Sequence, residues 1–241
     1  MYFYFLINNF NKRKMMRLMF FLIFSAFTIA ACQNAPEEKL LADYKVRYIA
    51  SSQNLTIQAK YKTVIKGKKE VSFKPALGVG VLGKTMEYKS MQGVAPDYYS
   101  YDHRTKFPDK IAFQFEDNQH QFVEQSINFK PISSIQIKEK VIRPDSGFTL
   151  VWQGDTLRKD EELVILLEIG GETVLKLSKV GQSYGKKVYI RREQLENLQP
   201  GKGTITLVQK RYQRYPTESS VSGSYILEYY HLPIETEVKK E

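Results

Sequence analysis

The sequence predicts an all-β protein with two tandem β-sandwich domains. Apolar and polar residues alternate through most of the chain after residue 43, which is the pattern of half-buried strands. Aromatic residues form 13% of the chain, with 16 Tyr and 14 Phe, and flat rings pack well across strand pairs. The chain has 1 cysteine, so its stability must come from a hydrophobic core rather than from intramolecular disulfides.

The first predicted domain spans residues 43–130. Residues 111–116 and 121–129 both alternate and flank the polar residues 117–120, which predicts a β-hairpin. The glycines of residues 75–83 (PALGVGVLG) match the G-x-G-x-x-G spacing of dinucleotide-binding loops. No helical pattern and no βαβ unit follow them, so we predict a tight turn or bulge instead of a nucleotide site.

The second predicted domain spans residues 134–232, after a joint at residues 130–133 where Pro131 interrupts strand pairing. About eight strand-like segments follow within roughly 100 residues, a spacing typical of an immunoglobulin-like or fibronectin-like sandwich. Gly170 and Gly171 separate two apolar runs and predict a two-residue hairpin turn. The Cys…Trp…Cys pattern of antibody domains is absent, so the sequence predicts a generic sandwich.

Three apolar side chains of this domain are predicted core residues. Residues 194–201 (QLENLQPG) predict a helical turn and a Pro-Gly corner, with Leu195 and Leu198 packed inward. Trp152, at the end of an early strand, is expected to fill the same core. Residues 233–241 are predicted to be a charged tail.

The first 32 residues predict a secretory signal. Basic side chains precede the apolar residues 18–31, and small residues lead into Cys32. The apolar stretch is shorter than the roughly 18 to 20 residues that cross a bilayer as a helix. Because residues 1–10 are apolar and aromatic, we predict that translation starts at Met15 or Met16.

Residues 29–32 (IAAC) resemble the lipobox of bacterial lipoproteins. The resemblance implies that residues 1–32 are a signal peptide, that Cys32 carries lipid such as palmitate, and that residues 33–42 are a tether. Glu37 and Glu38 resemble the export signal of Bacteroidetes-type lipoproteins, which favours the cell surface over the periplasmic face of the outer membrane. Residues 155–157 (DTL) resemble the O-glycosylation motif of the same bacteria, with Thr156 as the acceptor.

No motif in the sequence predicts catalysis, a metal site or a cofactor. His103, His120 and His231 are predicted to be solvated surface residues, because their spacing matches no metal-binding motif. The acidic residues 155–162 are predicted to be a solvated connection rather than a pair of catalytic carboxylates. The net charge is +10, but the charges are interspersed, so we expect no nucleic-acid partner.

Two aromatic segments are candidate contact surfaces. The first is a predicted loop whose candidate ligand contacts are Tyr98, Tyr99, Tyr101, His103 and Arg104. The alternative is that its alternate tyrosines pack on the edge of the sandwich. Residues 210–216 (KRYQRYP) predict an edge strand protected by charge and proline, with a glycan-facing surface as the alternative.

These observations predict a lipid-anchored cell-envelope protein that is not an enzyme. Its expected role is to bind or scaffold a protein partner in or on the outer membrane. The alternative is a glycan-binding surface lipoprotein of a polysaccharide-handling system. A hydrolase is the third hypothesis, and no local motif supports it.

Overall fold

The computed structural model describes residues 38–65, 69–91, 95–139, 141–181, 185–215 and 221–240. The predicted signal peptide, Cys32 and residues 33–37 of the predicted tether lie outside these residues. Nearly all the regular structure described is strand, which confirms the all-β prediction. The strands are β1 (Glu38–Ile49), β2 (Asn54–Ile65), β3 (Val71–Ser72), β4 (Val79–Val81), β5 (Lys84–Thr85), β6 (Glu87–Met91), β7 (Ala95–Arg104), β8 (Lys110–Glu116), β9 (Phe122–Asn128), β10 (Ser133–Ile137), β11 (Phe148–Gln153), β12 (Glu161–Ile169), β13 (Glu172–Val180), β14 (Lys187–Ile190), β15 (Gly201–Tyr215), β16 (Val221–Tyr230) and β17 (Ile234–Val238).

A 10-stranded sheet runs through both halves of the chain, in the order β13-β12-β15-β16-β1-β2-β7-β6, with β17 paired to β15 and β3 to β2. The link between the halves is the parallel pairing of β1 with β16, from Leu40 opposite Val221 to Ile49 opposite Tyr230. Strands far apart in sequence therefore lie side by side at the middle of the sheet.

A four-stranded sheet, β5-β4-β8-β9, covers one part of the long sheet and encloses the first hydrophobic core. Aromatic rings join the two layers. Tyr44 of β1 stacks on Phe113 of β8 with 3.8 Å between ring centroids, and Tyr61 of β2 lies 4.7 Å from Phe115. These contacts give the sandwich layering that the alternating aromatic residues predicted.

A three-stranded sheet, β10-β11-β14, packs over the second core. Leu150 of β11 and Ile190 of β14 face Ile165 of β12 and Leu207 of β15 in one apolar cluster. Trp152, Leu195 and Leu198 are buried in the same cluster, which confirms their predicted core positions. A 3-10 turn at Arg192–Gln194 leads into this corner.

The predicted turns are confirmed by strand register. Glu116 pairs with Phe122 across the turn at residues 117–121, and Ile169 pairs with Glu172 across Gly170 and Gly171. Val81 pairs with Lys84 across a two-residue turn with positive φ at Leu82 (50°) and Gly83 (73°). The glycine-rich segment is thus a tight turn between strands.

The predicted domain limits, 43–130 and 134–232, stay predictions. The structure adds that β16, from the second range, supplies Val221, Tyr225 and Leu227 to the first core. Residues Lys39–Val64 and Lys69–Glu241 form one compact unit that holds both cores.

Candidate functional site

The tyrosines predicted as ligand contacts lie in β7 and not in a loop, so the loop prediction is wrong. Hydrogen bonding to β2 holds this segment extended, with Tyr101 opposite Ile57 and Tyr99 opposite Ala59. Tyr99 and Tyr101 are buried in the first core, as the alternative interpretation predicted. Tyr98 is half-buried on the opposite face, while His103 and Arg104 are exposed at the strand end. A ligand role for these five residues stays a prediction.

The three histidines differ in environment. His103 and His120 are exposed, as predicted, and lie beside Lys84 and Glu116 respectively. The prediction for His231 is wrong, because its ring is buried against Tyr229 with 4.7 Å between ring centroids. Burial lowers the pKa of His231 to about 4, so its imidazole is neutral at physiological pH. Within the described residues, no group of three or more metal-ligating side chains is placed to hold a metal ion.

The structure corrects part of two predictions about charged segments. The edge-strand prediction is wrong for Lys210 and Arg211, which pair with β12 on one side and with β16 on the other, whereas residues 212–215 extend beyond the pairing with β12. Arg211, which is 2% exposed, forms an ion pair with Glu161, which is 3% exposed. The acidic run at residues 155–162 begins as the exposed connection that was predicted, but it ends in β12 with one buried carboxylate, Glu161, that the sequence interpretation missed. The alternation of Ile205, Leu207 and Gln209 places Arg211 on the same inward face, and this was the available signal.

The buried cluster around Arg211 is structural. Arg211 donates a hydrogen bond to the carbonyl oxygen of Asn128 at 2.7 Å, and its guanidinium lies 5.3 Å from the ring centroid of Phe129. Gln209 donates to Glu161 at 3.1 Å and accepts from the backbone N–H of Ile132 at 2.9 Å. These bonds hold residues 128–132, which overlap the predicted joint at residues 130–133, against β15. Their burial leaves no access for a ligand.

An open groove of about 950 Å³ lies on the outer face of the three-stranded sheet. Its floor is formed by Thr149 and Val151 of β11. In strand register these two residues stand opposite Tyr189 and Lys187 of β14. The other lining residues come from the end of β10, from β13 and from the 3-10 turn, and they are Lys138, Lys179, Arg191, Glu193 and Gln194. The volume lies within the usual range for small-molecule and ligand sites.

Tyr189 is the aromatic side chain of this groove. It is 53% exposed, and its hydroxyl donates a 2.6 Å hydrogen bond to the carbonyl oxygen of Ser146. Gly147 has φ of 75°, and a Cβ at that position would lie 2.4 Å from the carbonyl oxygen of Ile190 and 2.8 Å from the Tyr189 hydroxyl. The glycine is therefore required for the hydroxyl to reach Ser146, and this bond fixes an exposed ring on a rigid strand.

Cations flank the Tyr189 ring. Residues 187–191 (KVYIR) alternate exposed and buried, so Lys187, Tyr189 and Arg191 share the outer face while Val188 and Ile190 enter the core. Glu193 is the carboxylate among the lining residues, and its Oε1 accepts from Arg192 at 3.1 Å. Glu139, beside Lys138, uses its carboxylate to accept the backbone N–H of Thr149 at 2.7 Å. The groove thus combines a fixed ring with a local excess of positive charge, a combination that the sequence interpretation did not identify.

A second open groove, of about 730 Å³, has the opposite charge. Glu168, Thr204 and Glu235 lie in one cross-strand row, because Thr204 is opposite Glu168 on β12 and Glu235 on β17. Lys202 and Glu237 pair in register beside this row. The Thr204 hydroxyl thus stands between two carboxylates, and none of the described residues that line this groove is aromatic.

Two predicted modification sites remain predictions. Thr156 is exposed in the connection between β11 and β12, and neighbouring Leu157 is buried. Cys32 lies outside the described residues, so its lipidation is not addressed by the structure. The described part of the chain contains no helix with the length and apolarity that a membrane crossing requires.

Comparison with known proteins gives little similarity. No protein-family model matches the chain, and no curated protein matches it. Among solved structures, a similar chain is SGBP-B of the Bacteroides ovatus mixed-linkage glucan utilization locus, in complex with a mixed-linkage heptasaccharide. The two are 9% identical with a TM-score of 0.25, over 86% of this chain and 62% of that one. This chain therefore covers less than two thirds of that protein, and similarity at this level identifies neither a shared site nor a shared ligand.

Proposed function

We propose that this protein is a non-catalytic, lipid-anchored protein of the cell envelope that binds a polysaccharide in the groove around Tyr189. The observation that carries the proposal is the exposed Tyr189 ring, which shares a strand face with Lys187 and Arg191 and is held through its hydroxyl by the carbonyl oxygen of Ser146. An aromatic ring offers a large apolar surface at small entropy cost, which suits the apolar face of a sugar ring. The hydroxyl of Thr149 and the amide of Gln194 supply hydrogen-bonding groups for sugar hydroxyls.

The composition of the groove supports binding rather than hydrolysis. Glycoside hydrolysis uses two carboxyl groups that flank the scissile bond. Among the described lining residues, Glu193 is the one carboxylate, and it lies in an exposed 3-10 turn beside Arg192. A groove with a ring, several donors and a single carboxylate is suited to hold a saccharide without cleaving it.

Affinity electrophoresis in gels that contain defined polysaccharides tests this function. We expect the wild-type protein to be retarded by at least one polysaccharide and Tyr189→Ala to lose that retardation. Tyr212→Ala is the matched control, because Tyr212 is 49% exposed on the outer face of the ten-stranded sheet, away from the groove. Equal retardation of Tyr189→Ala and the wild type would overturn the site.

A protein partner is the second candidate function. On the outer face of the ten-stranded sheet, Tyr212 and Ile226 form an exposed cross-strand pair. Beside them, Glu228 joins Arg47 and Lys210 in an ion-pair network, at 2.9 and 3.2 Å. An apolar pair with a charged rim fits a protein interface. Crosslinking in intact envelopes tests it, and Tyr212→Ala should then lose the crosslinked partner while Tyr189→Ala keeps it.

The lipid anchor is proposed from residues 29–32 alone. Cys32→Ser is expected to release the protein from the membrane fraction and to abolish labelling with a palmitate analogue. A Cys32→Ser protein that still carried the mass of the lipid would contradict the anchor. The surface location is part of the same proposal, and protease treatment of intact cells would test it.

A further inference from the structure

We infer that the polysaccharide bound in the Tyr189 groove is anionic and carries carboxylate or sulfate groups. This inference rests on the proposed function and defines its ligand class. The basis is the balance of charge around the Tyr189 ring. The lining residues include one carboxylate, that of Glu193, and four cations, which are Lys138, Lys179, Lys187 and Arg191.

Three of the cations that line the groove lie outside any close salt bridge. Within the described residues, Lys138, Lys187 and Arg191 form no salt bridge at 4.0 Å or less. The groove carboxylate, Glu193, already accepts from Arg192, which lies outside the lining. The lining of the groove therefore brings several positive charges and one carboxylate together around a single aromatic ring.

Like charges that line one groove repel each other, and an anionic ligand would remove that repulsion. Each cation would gain a charge-assisted hydrogen bond, which is stronger than a bond between neutral groups. Arg191 offers a planar fork that matches a carboxylate or a sulfate, whereas Lys187 offers a compact charge. Their positions on either side of Tyr189 place acidic substituents beside a stacked sugar ring.

The same features favour a polysaccharide over other polyanions. Single-stranded nucleic acid is usually bound by several aromatic rings that stack on successive bases. Among the described lining residues Tyr189 is the one aromatic side chain. Anionic membranes are bound by apolar side chains that enter the bilayer boundary, and here the aliphatic lining residue is Val151, on the floor of the groove. One ring with surrounding cations matches an acidic pyranose.

The test is affinity electrophoresis of the folded protein against polygalacturonate, dextran sulfate and unmodified dextran. We expect retardation by the two polyanions and none by dextran. The double variant Lys187→Gln with Arg191→Gln should weaken the affinity for the polyanions roughly tenfold or more, as expected for two charge-assisted contacts. The matched control is Lys45→Gln with Lys202→Gln, which removes the same charge from exposed positions outside the groove.

The outcomes separate this inference from the proposed function. Retardation by dextran as strong as by dextran sulfate, lost in Tyr189→Ala, would overturn the anionic ligand and keep the polysaccharide-binding function. Retardation by none of a broader polysaccharide set would overturn both. An equal loss in the groove and control double variants would overturn the location. Stronger binding of single-stranded DNA or of phosphatidylglycerol vesicles through Lys187 and Arg191 would overturn the ligand class.

Discussion

Positively charged side chains occur in two regions of this molecule with opposite surroundings. Arg211 lies in the interior, where Glu161 and the carbonyl oxygen of Asn128 accept its hydrogen bonds and Asp160 lies 3.5 Å from its Nε. Lys187 and Arg191 lie at the surface around Tyr189, and within the described residues neither forms a salt bridge at 4.0 Å or less. The interior charge is matched because an unpaired buried charge is costly. The groove charges are unmatched and solvated, which leaves them available for binding at little cost to folding.

The buried pair is the place where this contrast predicts the largest effect. Arg211→Met should lower the free energy of unfolding by about 3 to 5 kcal/mol, because it leaves Glu161 buried without its cation. Urea denaturation measures the change. The control is Lys110→Met, which breaks the exposed pair with Glu124 and should cost less than about 1 kcal/mol. If the two variants lost the same free energy of unfolding, the claim that the buried ion pair matters more to stability than the surface pair would be contradicted.

A double-mutant cycle sharpens the same point. Arg211→Met with Glu161→Leu removes both charges and should recover part of the loss, since no charge is then left unpaired. Additive losses would mean that the two side chains stabilise the joint independently, through Asn128 and Gln209.

Acid gives the next largest effect on stability, because His231 is a buried base with no charged partner among the described residues. Burial lowers its pKa from 6.5 to about 4, so the unfolded chain binds the proton more tightly than the folded chain. The free energy of unfolding should therefore be independent of His231 titration above pH 6.5. It should fall as the pH drops from 6.5 toward 4, by an amount on the order of 3 kcal/mol. Below the folded pKa the contribution of this group becomes constant. Chemical denaturation at a series of pH values measures the slope.

His231→Phe is expected to remove this part of the slope, and His103→Gln, at an exposed site, should keep it. The comparison uses the slope of the unfolding free energy against pH. Repacking around Tyr229 would change the absolute stability, whereas loss of the titrating group changes the slope. An unchanged slope in His231→Phe would assign the acid sensitivity to other groups.

Gly147 connects stability with the groove. Gly147→Ala would place a Cβ 2.4 Å from the carbonyl oxygen of Ile190 at a φ of 75°, so we expect a loss of about 2 kcal/mol and weaker polysaccharide binding. Gly83→Ala is the control, because Gly83 has φ of 73° and nothing within 4 Å of an added Cβ. Gly83→Ala should lose only the free energy of unfolding that the positive φ costs an alanine. If the two changes weakened polysaccharide binding equally, the claim that Gly147 acts through the orientation of Tyr189 would be contradicted.

The smallest expected effect on stability is in the groove itself. Lys187→Gln should change the free energy of unfolding by no more than about 0.5 kcal/mol, because its charge has no partner to lose. The same variant should weaken binding of polygalacturonate. Thermal and urea unfolding provide the check, and a loss above 1 kcal/mol would mean that Lys187 serves the fold.

Features set by neighbours in sequence were predictable, and features set by distant strands were not. The turns at residues 117–121 and at Gly170-Gly171 follow from local alternation and turn chemistry, and so do the buried positions of Leu195 and Leu198. The parallel pairing of β1 with β16 joins residues about 180 positions apart, and no local pattern encodes it. Glu161 and Arg211 are 50 positions apart, so their mutual burial depends on the register of β12 against β15.

The candidate site shows the same division. The exposed face of Lys187, Tyr189 and Arg191 is readable from the alternation in residues 187–191. The groove requires Thr149 and Val151 from β11 and Lys179 from β13, and their meeting is a property of the folded sheets. The tyrosines of β7 gave a stronger compositional signal, but the alternation places Tyr99 and Tyr101 in the core.

Calorimetric titration of the wild-type protein with polygalacturonate and with its fully methyl-esterified form tests the groove most directly. The two polymers share a backbone and differ in charge. We expect binding of the acidic polymer, weakened by added salt, and no measurable binding of the ester. Equal, salt-independent affinity for both polymers would contradict a groove whose unmatched cations select its ligand.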